Sequence, residues 1–278
     1  MKSSLCAYLL KRICIAPSSV SRLQKLGNIS FVNKYIENIR KKGFDNWRVL
    51  DHDIKMYVDP TDPHLLHMID GKDPEQEVKE IFLENISPGG VVIDIGSNIG
   101  DYTLLACKKV GTFGKVLSFE PLSETFLTLN RNLQLNKITN CISFQKAVGE
   151  KSGLANLYKN NLSGTMGHLD SSLNGEDLIK RDEIEVLTID DVLTSEHIDT
   201  VNMIKIDVEG FEHEVLLGCL QSFKEKKIKK IMCEVHHSYL ESKGKSEELI
   251  YDLLREYNFT ITPISKRTPN IIHILATS

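Results

Sequence analysis

The chain has 278 residues, 41% of them hydrophobic, and a formal net charge of −4 at pH 7. This length suits one large α/β domain with an N-terminal extension and is too short for a second domain of the same size. The acidic balance provides no basic field for nucleic acid, so we expect no nucleic-acid partner.

Residues 1–45 are predicted to form a basic extension, and residues 46–278 the folded domain. Six lysines and arginines and no acid precede Glu37, and the apolar stretch Leu5–Leu10 stops at a Lys-Arg pair. That stretch is too short to cross a bilayer. The extension could contact a membrane surface or serve as an organelle presequence, but we favour a helical arm packed on the domain.

The six cysteines form no C-x-x-C pair. Cys107, Cys219 and Cys233 fall within apolar helix or strand patterns and are predicted to be small core residues. This usage is typical of a reducing compartment, and we expect a cytoplasmic protein.

The stretch from Val91 to Val110 predicts a strand, a tight turn and a helix. Five residues, apolar except for Asp94, lead into a turn that contains Gly96 and Gly100. Gly96 can adopt a backbone conformation closed to other residues, and the start of the helix offers unpaired N–H groups. We therefore expect a small ligand to bind at this turn.

Two classes of ligand use such a turn. A dinucleotide fingerprint is G-x-G-x-x-G, but here Asn98 replaces the second glycine and Asp94 stands two positions before Gly96. A carboxylate at that position would repel a pyrophosphate but could hold the ammonium of an amino-acid tail. The pattern favours S-adenosylmethionine over NAD. A nicotinamide-dependent oxidoreductase and a non-catalytic Rossmann-like binding module stay open as alternatives.

A second strand, predicted over residues 115–119, ends in Glu120. An acid at this place can accept both ribose hydroxyls of a nucleoside, although an acid before a proline can also simply end a strand. The third strand is predicted over Ile142–Val148, and main chain near Ala147 could bind adenine. Residues 160–180, rich in Ser, Gly and Asn, form a candidate lid, an acceptor-binding loop or a mobile insertion.

A fourth strand runs from Val201 into Asp207 and Glu209, followed by a helix predicted over Phe211–Phe223. In a doubly wound sheet this strand lies beside the first, so Asp207 would open onto the same crevice as Asp94. An acid in the first turn of a helix is usually explained by the helix dipole, and this is the interpretation we favour for Glu212.

The next strand, predicted over Ile228–Val235, carries Glu234 and ends beside His236. Alternation places Glu234 and His236 on the same side of an extended chain. Near Asp207, they could form a proton-accepting cluster or a divalent-metal site. His236 or Asp207 is the candidate general base, and the other residue orients it.

Together these segments resemble the FkbM-type family of S-adenosylmethionine-dependent methyltransferases. The matching segments span roughly residues 75–240 and read VVIDIGSNIGDYTLLA, SFEPLSETFLTLNRNLQLN, KIDVEGFEHEVLLG and CEVHH. The resemblance implies an α/β class I methyltransferase fold, a Rossmann-like doubly wound sheet of seven strands whose last strand is antiparallel. It also implies methyl transfer to oxygen, with a glycan or small-molecule hydroxyl as acceptor.

The resemblance also implies roles for individual residues. Four residues would surround the methionine portion of the cofactor: Asp94, Gly96, Asn98 and Gly100. Glu120 would bind the ribose of the cofactor. Three residues would face the methyl group and the acceptor: Asp207, Glu209 and His236.

Overall fold

A computed structural model describes residues 47–50, 53–57, 73–160, 167–168, 178–268 and 270–278. The predicted basic extension over residues 1–45 and most of the loop over residues 160–180 lie outside the described residues. The prediction for residues 1–45 therefore stays as it was stated from sequence, whereas the described parts of residues 160–180 are strands, at Gly167–His168 and from Leu178 onward.

The described part contains thirteen strands and eight helices. The strands are β1 (Trp47–Leu50), β2 (Ile54–Tyr57), β3 (Val91–Ile95), β4 (Lys115–Phe119), β5 (Cys141–Phe144), β6 (Ala147–Val148), β7 (Gly153–Asn160), β8 (Gly167–His168), β9 (Leu178–Leu187), β10 (Met203–Ile206), β11 (Lys230–His236), β12 (Thr260–Thr268) and β13 (Ile271–Thr277). The helices are α1 (Gln76–Glu84), α2 (Asp101–Val110), α3 (Ser123–Leu135), α4 (Ile189–Ser195), α5 (Glu212–Leu217), α6 (Leu220–Lys224), α7 (His237–Ser242) and α8 (Glu247–Glu256). Within these described residues, no helix is both long enough and apolar enough to cross a membrane.

The main sheet has seven strands in the order β12-β13-β11-β10-β3-β4-β5. Neighbours from β11 to β5 are parallel, whereas β13 is antiparallel to both β11 and β12. Parallel neighbours need crossover connections, and here helices supply most of them. This order confirms the predicted α/β fold of seven strands with an antiparallel last strand.

The register of the sheet brings two motifs together. Residues Met203–Ile206 pair in parallel with residues Val92–Ile95, so both strands end at the same edge. Asp207 donates its N–H to the carbonyl of Ile95 at 3.0 Å. The prediction that the fourth motif strand lies beside the first is therefore confirmed.

The predicted strand over Ile142–Val148 is wrong, because two strands of different sheets occupy it. β5 belongs to the main sheet, while β6 pairs in parallel with β9 in a second sheet ordered β6-β9-β7-β8. The chain turns at Gln145 and Lys146, between the two strands. The hydrophobic pattern indicates that the chain is extended, but it does not show which strand the chain pairs with. One apolar segment can therefore contain two strands of different sheets.

The single helix predicted over Phe211–Phe223 is also divided, into α5 and α6. A Cβ at Gly218, which separates them, would lie 2.2 Å from the carbonyl oxygen of Gly149. Here the chain passes so close to a neighbouring loop that only glycine fits.

The two faces of the central strands pack against different layers. Ile93 and Ile95 belong to the larger core cluster, whereas Val92 packs with α1 and α2 on the other face. Because side chains alternate along a strand, Asp94 shares the face of Val92. Cys107, Cys219 and Cys233 are buried and unpaired, as predicted.

Candidate functional site

A cavity of about 680 Å³, including its open mouth, lies at the carboxyl edge of β3, β4 and β10. We call this cavity the cleft. Six of the predicted site residues line it: Gly96, Asn98, Glu120, Ala147, Asp207 and Glu209.

The turn after β3 forms one wall of the cleft. Gly96 has φ of +77°, and a Cβ at this position would lie 1.8 Å from the carbonyl oxygen of Asp207. The N–H groups of Gly96 and Ser97 both donate to the carbonyl of Phe119, at 3.0 and 2.9 Å. The turn is therefore clamped between two neighbouring strands and has no room for a side chain at Gly96.

Glu120 and Asn98 place polar acceptors on the cleft. The Glu120 carboxylate accepts backbone N–H groups from Asn98 and Leu122, each at 2.9 Å. Burial raises the pKa of Glu120 to about 7, against the opposing effect of these two N–H groups. The side-chain oxygen of Asn98 is buried and has no hydrogen-bond partner within the described residues. It is an acceptor that a donor group of a ligand could satisfy.

Asp94 and Gly100 do not line the cleft. The fully buried Asp94 carboxylate accepts a hydrogen bond from the Thr103 hydroxyl at 2.5 Å and lies 3.9 Å from the Lys205 ammonium. Burial raises the pKa of Asp94, and Lys205 opposes that shift. A Cβ at Gly100 would meet the Leu129 side chain at 2.6 Å. The structure thus places both residues behind the turn, where they brace it against α2 and α3.

Four acids surround His236 at the ends of β10 and β11, and we call them with this histidine the carboxylate cluster: Asp207, Glu209, Glu212, Glu234 and His236. Nδ1 of His236 lies 2.8 Å from Glu212, and its Nε2 lies 3.3 Å from Glu209 and 3.4 Å from Glu234. Glu234 and His236 therefore share a side of β11, as alternation predicted.

The charge of His236 is set by these neighbours. The residue is only 4% exposed, and burial alone would lower the pKa of its imidazole. Hydrogen bonds with Glu212 and Glu234, together with the charge of Glu209, outweigh burial and raise the pKa well above its ordinary value. These contacts therefore favour the protonated ring over the neutral one.

Sequence reasoning missed Lys205. Its ammonium contacts the Asp207 carboxylate at 3.0 Å, and its side chain is 8% exposed. Burial alone would lower the pKa of Lys205, but the carboxylates of Asp207 and Asp94 outweigh burial and raise it. The signal was a lysine inside an otherwise apolar buried strand, because buried charges are almost always paired.

Two further members of the site came from the tertiary structure. Glu212 is fully buried, and besides approaching His236 it accepts the N–H of Gly210 at 2.9 Å. The helix dipole is therefore an incomplete account of this residue. His273, on β13, lies 3.1 Å from Glu234 and extends the polar network to a third strand.

Among the residues that the structure describes, two groups of side chains have the spacing of a cation site. The ligand atoms of Asp207, Glu209 and His236 all lie within 4.8 Å of one another. Those of Glu75, Glu234 and His273 do so as well. Carboxylate and imidazole donors suit several divalent metals, so metal dependence stays a prediction.

The strand order, the glycine turn and the acid that ends the adjacent strand define a class I, S-adenosylmethionine-dependent methyltransferase. Residues 94–261, more than half of the chain, match the Methyltransferase FkbM domain. The chain therefore belongs to the FkbM methyltransferase family. Because this is a methyltransferase family, we assign S-adenosylmethionine rather than a nicotinamide as the cofactor.

Three curated relatives show the same likeness. Methyltransferase 1 of Beauveria bassiana is 28% identical over 50% of this chain and 65% of its own length. Hexuronic acid methyltransferase AglP of Haloferax volcanii is 27% identical over 67% of this chain and 76% of its own length. The 31-O-demethyl-FK506 methyltransferase FkbM of Streptomyces tacrolimicus is 28% identical over 63% of this chain and 75% of its own length. The chain thus spans about two thirds to three quarters of the length of these relatives.

Proposed function

We propose that the protein transfers a methyl group from S-adenosylmethionine to a hydroxyl oxygen of a sugar, a glycan or a small natural product. The observation that carries the proposal is the lining of the cleft. The carboxylates of Asp207 and Glu209 open onto the same cavity as Gly96, Asn98 and Glu120. Groups able to accept a proton therefore adjoin the place where the cofactor would be held.

The residues of the cleft fit the cofactor. Glu120 has a carboxylate that could accept ribose hydroxyls, and the unpaired oxygen of Asn98 could accept a further donor. Gly96 and Ala147 also line the cleft, and Ala147 is small and buried. When bound, S-adenosylmethionine supplies a methyl group on a positively charged sulfur.

The protein has two tasks in such a transfer. It must hold the acceptor oxygen in line with the methyl group, and orientation of this kind contributes up to about 7–11 kcal/mol in favourable cases. It must also receive the proton of the hydroxyl, because a neutral hydroxyl is a weak nucleophile near pH 7. General-base help of this kind typically contributes about 10²–10⁴-fold.

The names of the relatives support oxygen as the acceptor atom. One relative acts on 31-O-demethyl-FK506 and another on a hexuronic acid. We extend the chemistry of these acceptors, a hydroxyl-bearing natural product and a sugar, to this chain as part of the proposal.

The test is transfer of tritium from S-adenosyl-[methyl-³H]methionine to glycan, lipid and small-molecule extracts by the purified protein. We expect label in a product that survives mild alkali, as an ether does and an ester does not. Glu248→Gln, an exposed change on α8, is the matched control and should keep full activity. Label on an amine or in an alkali-labile ester would contradict the hydroxyl acceptor. Absence of transfer from a protein that binds S-adenosylhomocysteine by calorimetry would favour a non-catalytic binding module.

A further inference from the structure

We infer that Asp207, Glu209 and His236 form a site for a divalent cation, which binds the acceptor hydroxyl beside the cofactor. This inference rests on the proposed transfer to a hydroxyl and names the group that activates it. The three donor atoms, one from each residue, lie within 4.8 Å of one another. Asp207 and Glu209 line the cleft. A cation held by these residues can therefore be reached from the cleft.

The imidazole of His236 is held in the orientation of a metal ligand. Its Nδ1 donates to Oε1 of Glu212 at 2.8 Å, and the same oxygen accepts the N–H of Gly210 at 2.9 Å. Metal-binding histidines almost always donate their second ring N–H to a carboxylate or a carbonyl in this way. Because Nδ1 is fixed, Nε2 faces Glu209 and Glu234, at 3.3 and 3.4 Å.

The separation of Glu209 and His236 is that of two ligands of one ion. Oε2 of Glu209 lies 3.3 Å from Nε2 of His236. Two donors bonded to one ion at about 2.1 Å are about 3.0 Å apart at a right angle and about 3.4 Å apart at a tetrahedral angle. This oxygen is also buried without a hydrogen-bond partner among the residues that the structure describes. A buried unpaired atom of this kind is often explained by a bound ion.

Asp207 keeps one oxygen for the ion. Its Oδ2 accepts a hydrogen bond from the buried Lys205 ammonium at 3.0 Å. No contact within the described part of the chain engages Oδ1, and the side chain is 29% exposed. A carboxylate can bind a cation through a single oxygen. Lys205 therefore orients Asp207 and leaves Oδ1 for the ion.

The charge of the carboxylate cluster also favours a cation. Its four carboxylates surround one imidazole, and the Lys205 ammonium contacts the cluster through Asp207. Uncompensated negative charge is costly in a buried place. A divalent ion on Nε2 of His236 displaces one proton to solvent and so adds one positive charge where the acids crowd. Two carboxylates and one imidazole suit ions such as Mn²⁺, and three protein donors leave positions for ligand oxygens.

An open position on the ion binds the acceptor. A cation lowers the pKa of a hydroxyl that it binds, so the hydroxyl can lose its proton to solvent near neutral pH. The resulting oxygen anion forms the bond to the methyl carbon, and the carbon–sulfur bond breaks with its electron pair on sulfur. The proton released to solvent carries away the positive charge that sulfur loses.

The first arm of the test measures metal binding and needs no acceptor. The full chain, stripped with EDTA and saturated with S-adenosylhomocysteine at pH 8, is titrated with Mn²⁺ while electron paramagnetic resonance follows the free ion. We expect one bound ion per chain. In protein labelled with ¹⁵N-histidine, the electron spin-echo modulation should show one coordinated imidazole nitrogen. A lack of binding at millimolar Mn²⁺, or a bound ion without a histidine nitrogen, would overturn the inference.

Variants show whether the ion lies at the proposed place. Asp207→Asn and His236→Gln each remove one donor and should weaken Mn²⁺ binding at least about tenfold. Glu212→Gln, which changes only the partner of the histidine, should weaken it about 10- to 100-fold. Glu75→Gln is the matched control, because it changes the other group with the spacing of a cation site, and should bind Mn²⁺ normally.

The reverse pattern, in which only Glu75→Gln loses the ion, would place the ion at the other group and overturn the inference. So would normal Mn²⁺ binding by both Asp207→Asn and His236→Gln. If His236→Gln fails to fold, Asp207→Asn and the histidine nitrogen signal of the natural protein decide.

The second arm tests the binding of the acceptor hydroxyl, with the extract that accepts label in the screen above. Removal of metal by EDTA should lower kcat at least about 100-fold, and Mn²⁺ should restore it. Glu248→Gln should show the same loss and the same recovery. Full turnover by the stripped protein would overturn the role of the ion. A failed screen with Mn²⁺ bound at the three residues would contradict the proposed transfer and leave the cation site established.

Discussion

On the Gly96 side the wall of the cleft is built around a glycine turn, whereas the Glu209 side carries two carboxylates, Asp207 and Glu209. The first wall depends on a glycine that almost touches a neighbouring carbonyl and on N–H groups that fix one acid. The second wall depends on four acids that share a buried histidine and a lysine. The two walls therefore tolerate different substitutions. Steric fit limits substitutions in the first wall, and the balance of charges limits them in the second.

Among the substitutions that test this comparison, Gly96→Ala should have the largest effect, which is a loss of stability. Its added methyl would overlap the Asp207 carbonyl, so we expect a loss of at least about 3 kcal/mol of unfolding free energy, measured in urea. Gly89→Ala is the matched control, because φ there is +76° and nothing lies within 4 Å of the added Cβ. We expect it to cost only about 1–2 kcal/mol. Equal losses at the two positions would show that close approach is unimportant at Gly96.

Glu120→Gln should have the next largest effect, on cofactor affinity. A hydrogen bond to a charged group contributes about 1.5–3 kcal/mol, so we expect the Kd for S-adenosylhomocysteine at pH 8 to rise about 10- to 100-fold by calorimetry. The measurement belongs at pH 8 because the carboxylate, with a pKa of about 7, is mostly ionised there. Glu248→Gln again serves as the control. An unchanged Kd would remove Glu120 from the ribose site.

The smallest effect separates support of the turn from contact with the cofactor. Thr103→Val removes the hydroxyl that bonds to the buried Asp94, and should cost about 1–3 kcal/mol of unfolding free energy. Because Asp94 does not line the cleft, the Kd for S-adenosylhomocysteine should change less than about threefold. Lower affinity with unchanged stability would favour the role implied by family resemblance, in which Asp94 contacts the methionine portion of the cofactor.

Much of the Gly96 side of the cleft could be predicted because its parts are close in sequence. Gly96 and Asn98 lie within one turn, and Glu120 follows at the end of the next strand, one crossover later. Strand, glycine and helix signals are local, so the pattern of apolar residues was enough to locate them. The assignment of Asp94 to the ligand did not follow as readily, because only the packing of α2 shows which way its side chain faces.

The Glu209 side of the cleft could be predicted only in part. Asp207, Glu209 and His236 were all identified, yet nothing in their spacing shows that Glu212 and Glu234 also face the histidine. The division of the expected strand over Ile142–Val148 had the same origin. Pairing partners come from distant parts of the chain, and local periodicity carries no information about them.

The sequence by itself determined the alternation of strands and helices, the glycine turn, the acids at the strand ends and, through these, the family. The tertiary structure alone decided which charges meet. Local backbone preferences and hydrophobic patterns act over a few residues, whereas the pKa of a buried acid or histidine depends on every charge within a few ångströms, whatever its place in the chain. The surroundings of His236 therefore could not be predicted until β10, β11 and α5 were seen together.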